Sequence, residues 1–235
     1  MKTPTYSVIV PIRNESESLP QLFDELSVAL RGRRYEVIAV DDASTDGSLQ
    51  ILRQIGKNTP SLRIIHIPKH LGKWAALRTG LAAAKGPVII TMDADLQDDP
   101  RELPKLFTKL NQGFDIVSGW RNNRRDRYYK IALTKFANAI ITLVTGHRFY
   151  DFSSAMKAYR KEALMELPQE GSLLRYSFLL AHKLGLRIVE VPVVHRPRLY
   201  GQSKFGIIKY IRILYDLILI LLLFSGSGRI SHRKS

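Results

Sequence analysis

The sequence predicts an α/β fold, a Rossmann-like and mostly parallel sheet flanked by helices on both faces. Apolar runs alternate with segments of helical periodicity, each pair about 30 residues long, which is the pattern of such a sheet. The apolar runs end in polar or acidic residues, so their carboxyl ends would share one rim, where open α/β sheets place their ligands. The chain has 235 residues, 45% hydrophobic and 24% charged. That is enough to bury one good core, and one large domain is expected rather than two.

Strand one is Tyr6-Ser7-Val8-Ile9-Val10-Pro11-Ile12. After it, Ser18-Leu19-Pro20-Gln21 reads as a capping box opening a helix to about Arg31. Leu19, Leu22, Phe23, Leu26 and Leu30 recur at helical spacing and give that helix one apolar face. The second strand, Tyr35-Glu36-Val37-Ile38-Ala39-Val40, runs into Asp41-Asp42, and a turn at 43–48 leads to a helix near 49–55. A strand at 62–67 and a helix at 74–84 follow. Next come a strand at 88–92, a helix at 101–110 and a strand at 114–118.

The stretch Thr91-Met92-Asp93-Ala94-Asp95-Leu96-Gln97-Asp98-Asp99-Pro100 concentrates acid at one strand end. Asp93 and Asp95 lie two apart, so on a continued strand they would share a face. With Gln97 they offer hard oxygen ligands suited to Mg²⁺ or Mn²⁺ beside a phosphate. The simpler reading is that acidic residues end a strand and cap a helix, with Asp98 or Asp99 at the cap and Pro100 at the first helical position. Glu15, Asp41 and Asp42 sit at two further strand ends, and three such clusters on one rim suggest an acidic pocket for a metal with a polyphosphate.

Thirty-six Lys and Arg against 21 Asp and Glu give a net charge of +15, a strong attraction for a polyanion. Nucleic acid, an anionic lipid surface and a phosphorylated substrate are the three candidates. No helix-turn-helix or zinc signature supports nucleic acid, and none is expected as a partner. Cysteine is absent, which removes disulfides and thiolate metal sites. No Gly-x-Gly-x-x-Gly or Gly-Lys-Ser/Thr cradle is present, so phosphates would be neutralised by a divalent ion and side-chain cations. The amino terminus runs straight into a strand with no secretory segment, and a cytoplasmic start is expected.

Beyond Gly119 the character changes. Arg121, Arg124, Arg125, Arg127 and Lys130 precede an apolar helix at 131–144, a juxtaposition suited to an anionic membrane surface. A polar and aromatic stretch covers 151–160, and Arg160 could bind phosphate or sit in a helix face. Two helical segments and a strand at 187–194 lead to the basic string 195–204. In 205–224, Lys209, Arg212 and Asp216 fall on one narrow stripe of an otherwise apolar helix. Its uncharged run, 217–224, is short of the ~20 apolar residues a bilayer needs. It reads as an in-plane interfacial helix or as a core or oligomer-interface helix.

Pro11-x-Arg13-Asn14-Glu15, Val40-Asp41-Asp42-x-Ser44-x-Asp46-Gly47, Gly72 to Gly80, and Asp93-Ala94-Asp95-Leu96-Gln97-Asp98-x-Pro100 resemble inverting glycosyltransferases of family 2, which have the GT-A fold. Gly119-Trp120-Arg121 and Tyr200-Gly201-Gln202-Ser203-Lys204-Phe205 are similar to the branch that makes polyprenyl-phosphate sugars, the dolichyl-phosphate mannose synthase type. The resemblance runs from about Tyr6 to Phe205 in the family's order. It implies a GT-A domain over 1–204, with 205–235 as a membrane-interface or oligomer helix and basic tail.

It further implies transfer of a sugar from a UDP- or GDP-sugar to undecaprenyl or dolichyl phosphate, with Mg²⁺ or Mn²⁺ as cofactor. Pro11, Arg13, Glu15, Val40 and Asp42 would line the base and ribose pocket. Asp93 and Ala94 would contact the nucleotide sugar, and Asp95 and Gln97 would hold the metal. Arg121, Arg198 and Lys204 would hold phosphates of donor or acceptor, with Lys130 and Thr134 near the lipid phosphate. Asp95, Arg121 and Asp151 are the residues implied in catalysis. Around Asp151 the chain departs from the family, reading Ser153-Ser154-Ala155-Met156-Lys157 where relatives carry Ser-Gly-Phe. The implied location is the cytoplasmic face of a membrane, held peripherally or by the 205–224 helix, with a homo-oligomer as a further expected partner state. The alternatives are a family 2 transferase with a saccharide hydroxyl acceptor and a non-enzymatic polyanion binder.

Overall fold

The computed structural model of the protein describes residues 3–121, 139, 142, 149–151, 154–168 and 176–200. Lys130, Thr134, Lys204, the predicted 131–144 helix apart from positions 139 and 142, and everything from 201 onward lie outside the described residues, as does the boundary at 204.

Strands β1 (Tyr6–Ile12), β2 (Tyr35–Asp42), β3 (Leu62–Ile67) and β4 (Val88–Thr91) are parallel and joined by helices α1 (Leu19–Ala29), α2 (Ser48–Asn58) and α3 (Lys73–Ala83). A 3-10 turn (Pro100–Glu102) and α4 (Leu103–Asn111) lead into β5 (Ile116–Arg121). Then come β6 (Lys157–Arg160), α5 (Lys161–Met165), α6 (Ser177–Lys183) and β7 (Ile188–Val193). The seven strands lie in the order β3-β2-β1-β4-β6-β5-β7. Only β6 runs against its neighbours β4 and β5.

Both faces of the sheet are covered, so its central strands are apolar on both sides. Ile9, Ile38 and Val40 pack on the face of α3, α5 and α6. Val8, Val10, Val37 and Ala39 pack on the face of α1, α2 and α4. The predicted α1 stripe is the buried one, with Leu19, Leu22, Phe23, Leu26 and Leu30 all inside.

Three local expectations are corrected. No capping box forms at α1: Ser18 is in the helical region and its hydroxyl donates to the Glu15 carbonyl, while Gln21 bonds Glu25. The acidic stretch is no strand continuation, because β4 stops at Thr91 and Leu96 takes a positive φ of 61°. And β6, inside the polar stretch 151–160, is a central strand that periodicity does not signal, since Lys157-Ala158-Tyr159-Arg160 is short and charged at both ends. The cap at Asp99 holds: its side chain accepts from the Arg101 amide, with Pro100 next in line.

Candidate active site

Parallel pairing brings the carboxyl ends of β1, β2 and β4 to one rim, as the three acidic strand ends suggested. Among the described residues, the non-glycine positions at positive φ are Asn14, Ala43 and Leu96, one just beyond each of these strands. Each such position costs on the order of 1 kcal/mol or more and persists only where neighbours enforce it. The enforcing contacts are visible at the first two. Ser44 Oγ accepts from the Asn14 amide at 3.0 Å, Ser48 Oγ from Glu15 at 2.9 Å, and Asp46 Oδ2 from Ser16 at 3.0 Å. In return Asn14 Oδ1 accepts from the Thr45 amide at 2.8 Å. The Ser44-x-Asp46-x-Ser48 pattern is therefore a clamp on the loop after β1. Burial works against the Asp46 charge, but the Ser48 hydroxyl and the Ser16 and Ser48 amides outweigh it and hold the carboxyl at about 2.

Asp42 organises the next loop. Its Oδ1 accepts from the Leu71 amide and its Oδ2 from the Gly72 amide, both at 2.8 Å, with His70 Nδ1 at 2.7 Å. Arg13 donates to the Asp42 carbonyl at 2.9 Å. Asp41 is fully buried and meets His66. Pro11, Arg13 and Glu15 are half-buried at the rim. Val40 is completely buried in the core beneath α3, so only its main chain faces the strand end.

In the acidic loop Asp93 and Asp95 meet different cations. Lys73, at the start of α3, reaches Asp93 at 2.5 Å. Arg198 Nη2 contacts Asp95 Oδ2 and also lies 3.3 Å from Gln97 Oε1. Ala94 is buried between them. Burial, with Asp93 and Asp98 nearby, raises the Asp95 carboxyl to about 6 even though Arg198 pulls the other way. The segment that carries Arg198 is strapped to the same loop. The Arg196 amide donates to the Gln97 carbonyl at 2.8 Å, and its guanidinium grips Glu25 of α1 and, at 2.6 Å, Asp99. A single antiparallel bridge joins Asp98 to His195, whose Nε2 lies 3.4 Å from Gln97 Nε2.

A divalent ion fits this donor set. The oxygens of Asp95 and Gln97 already converge on one positively charged nitrogen, and both are hard ligands. Among the described residues no three His, Cys, Asp or Glu side chains form a cage. Such a pair leaves most of the coordination shell to phosphate oxygens and water, the habit of Mg²⁺ in nucleotide sites.

Farther along the rim, Arg121 at the end of β5 holds Asp151 as a fork, Nε to Oδ2 at 2.5 Å and Nη2 to Oδ1 at 2.9 Å. Glu190 on β7 fixes the backbone behind it, accepting from the amides of Tyr150 at 2.7 Å and Asp151 at 2.8 Å. Burial pushes the Glu190 carboxyl up. Beneath lies Lys157, buried on β6, its ammonium lowered to about 8 chiefly by burial. Trp120 and Tyr150 stack with ring centroids 5.2 Å apart beside this group.

The rim thus unites Asp93, Asp95, Gln97 and Arg198, and separately Arg121 with Asp151. Sequence reading missed Lys73, Lys157, Glu190, His195 and Arg196. Only His195 and Arg196 carried a signal, as part of the basic string before Arg198.

The sequence profile described as glycosyl transferase family 2 matches residues 7–168. Undecaprenyl-phosphate 4-deoxy-4-formamido-L-arabinose transferases are similar over 216 residues, 90% of this chain. That from Edwardsiella ictaluri is 33% identical and that from Proteus mirabilis 35%. The chain spans 66% of the length of each. Among solved structures, glucosyl-3-phosphoglycerate synthase from Mycobacterium tuberculosis, in complex with Mn²⁺, uridine diphosphate and glucosyl-3-phosphoglycerate, superposes with a TM-score of 0.74. That match covers 96% of this chain and 81% of the other at 23% identity, a likeness of fold. With its GT-A sheet and the strand-end acids in the family's order, the chain belongs to glycosyl transferase family 2.

Proposed function

We propose that the protein transfers a sugar from a nucleotide sugar, UDP- or GDP-linked, to a polyprenyl phosphate such as undecaprenyl or dolichyl phosphate. The observation that carries this reading is the forked Arg121–Asp151 pair. A neutral saccharide hydroxyl needs a carboxylate to take its proton, and Asp151 is the acid placed for that work. It is only 2% exposed and already engaged at both oxygens by Arg121. A phosphate acceptor is anionic at neutral pH and needs aim and charge shielding rather than a base. The names of the relatives support the same acceptor class.

Asp95 and Gln97 would hold Mg²⁺ or Mn²⁺, which when bound draws charge from the departing diphosphate. Arg198, beside them, stabilises negative charge on the leaving phosphates as the anomeric carbon is attacked. Asp93, Ala94 and the rim residues Pro11, Arg13, Glu15 and Asp42 orient the donor. Arg121 faces the acceptor phosphate, with Lys130, Thr134 and Lys204 assigned to it by resemblance. Single displacement inverts the anomer, so an α-linked donor gives a β-linked lipid product.

A lipid acceptor places the enzyme at a membrane surface, on its cytoplasmic face. No helix of the described residues is long and apolar enough to cross a membrane. The 205–235 segment is assigned to the interface or to a second copy.

The test is a radiolabelled transfer assay with a panel of UDP- and GDP-sugars and undecaprenyl phosphate, with and without Mn²⁺. Label should pass to the lipid only with the ion, and Asp95→Ala should abolish it while circular dichroism stays native. Retained turnover in that variant would remove the metal from the scheme.

A further inference from the structure

Asp95 lies in a loop crowded with like charge. Asp93 and Asp98 both disfavour its ionised form, and it is largely withdrawn from water. An ionised carboxylate in that position requires a cation. The chain supplies one from 103 residues downstream, with Arg198 Nη2 meeting Asp95 Oδ2 and lying 3.3 Å from Gln97 Oε1. These two oxygens are the ones assigned to the metal. The guanidinium is not there by accident of a floppy side chain, because Arg196 ties the segment down through Gln97, Asp99 and Glu25.

We infer that Arg198 is a resident substitute for the divalent ion, which the ion displaces far more readily when a diphosphate is present to receive the guanidinium. Two cations compete for the same lone pairs, so a metal entering alone must evict Arg198 and leave it without an anion. When a nucleoside diphosphate enters with the metal, Arg198 exchanges Asp95 and Gln97 for phosphate oxygens. Metal and nucleotide then bind with positive coupling, and each raises the other's affinity by the same factor. This role rests on the reading of Asp95 and Gln97 as metal ligands, and goes beyond it by assigning how Arg198 and the ion share them.

The test is Mn²⁺ binding by electron paramagnetic resonance on the full chain, without nucleotide and then with UDP or GDP. Arg198→Ala should bind nucleotide-free Mn²⁺ about tenfold or more tightly than wild type, since a charge-assisted bond is removed from the ligands. UDP or GDP should strengthen Mn²⁺ binding markedly in wild type and far less in the variant. Arg198→Lys keeps the charge but carries its ammonium on a shorter stem than the guanidinium whose Nη2 meets both oxygens, so it should fall between the two. Arg101→Gln, an equal loss of charge at an exposed side chain paired with Asp99, should change Mn²⁺ affinity by less than about twofold. Equal nucleotide-free affinity in wild type and Arg198→Ala, or an equal gain in Arg101→Gln, overturns the inference alone. No Mn²⁺ bound by any of them, even with both nucleotides, removes the metal-dependent reading itself.

Discussion

Gly80 offers the sharpest test of how the sheet positions the rim. It lies in α3, which begins with the Lys73 that holds Asp93 and crosses directly over β1 and β2. A Cβ at position 80 would stand 2.4 Å from Cγ2 of Ile9 and 3.3 Å from Cγ2 of Val40. Comfortable carbon contacts are about 3.5–4.0 Å, so helix and strand would have to part by roughly 1 Å. Ile9 cannot yield, being buried and β-branched, with little rotamer freedom in a strand. Overpacking of this kind costs about 1–3 kcal/mol. Alanine returns about 1 kcal/mol through its better helix propensity. Gly80→Ala should therefore lose about 0–2 kcal/mol net, read from urea unfolding followed by circular dichroism.

The double-mutant cycle isolates the cause. Ile9→Ala removes the offending Cγ2 at its own cost of about 2–5 kcal/mol. In that background Gly80→Ala should be neutral or stabilising, a coupling of about 1–3 kcal/mol, the overpacking term that is relieved. A Gly80→Ala protein more stable than wild type, or strictly additive effects, would show that α3 does not press on β1 as described.

Three further outcomes are expected. Arg196→Ala should destabilise by about 2–4 kcal/mol in the same assay, because it removes charge-assisted bonds to both Glu25 and Asp99, although Arg101 still holds Asp99; a loss under about 1 kcal/mol would mean the strap contributes little. Lys157 is fully buried with its pKa lowered from 10.5 to about 8, so between these values the unfolded chain binds the extra proton. Wild-type stability should then rise relative to Lys157→Met as pH climbs from 8 to 10.5, by about 2–3 kcal/mol in all; a pH-independent difference refutes the buried charge. Asp151→Asn should reduce lipid-linked transfer by less than about 100-fold, below the range of a lost general base. Total loss with donor affinity unchanged would instead point to a hydroxyl acceptor.

What the sequence determined by itself was everything encoded in neighbouring residues. Strands β1, β2 and β4 announce themselves as apolar runs because both faces of each are covered, and α1 shows its buried stripe at 3.6-residue spacing. The strand-end acids are legible for the same reason, since parallel pairing must deliver them to one rim. Tertiary structure alone decided what those acids touch. Asp95 meets Arg198 across 103 positions, and Asp42 closes on the 70–72 turn across 28 to 30. No local pattern encodes partners so distant. β6 was hidden because a four-residue strand between two others takes its stability from their edges, leaving its own sequence free to begin with a lysine. The capping box failed for a local reason: Ser18 takes helical backbone angles, and its hydroxyl donates to the Glu15 carbonyl instead of accepting from a first-turn amide.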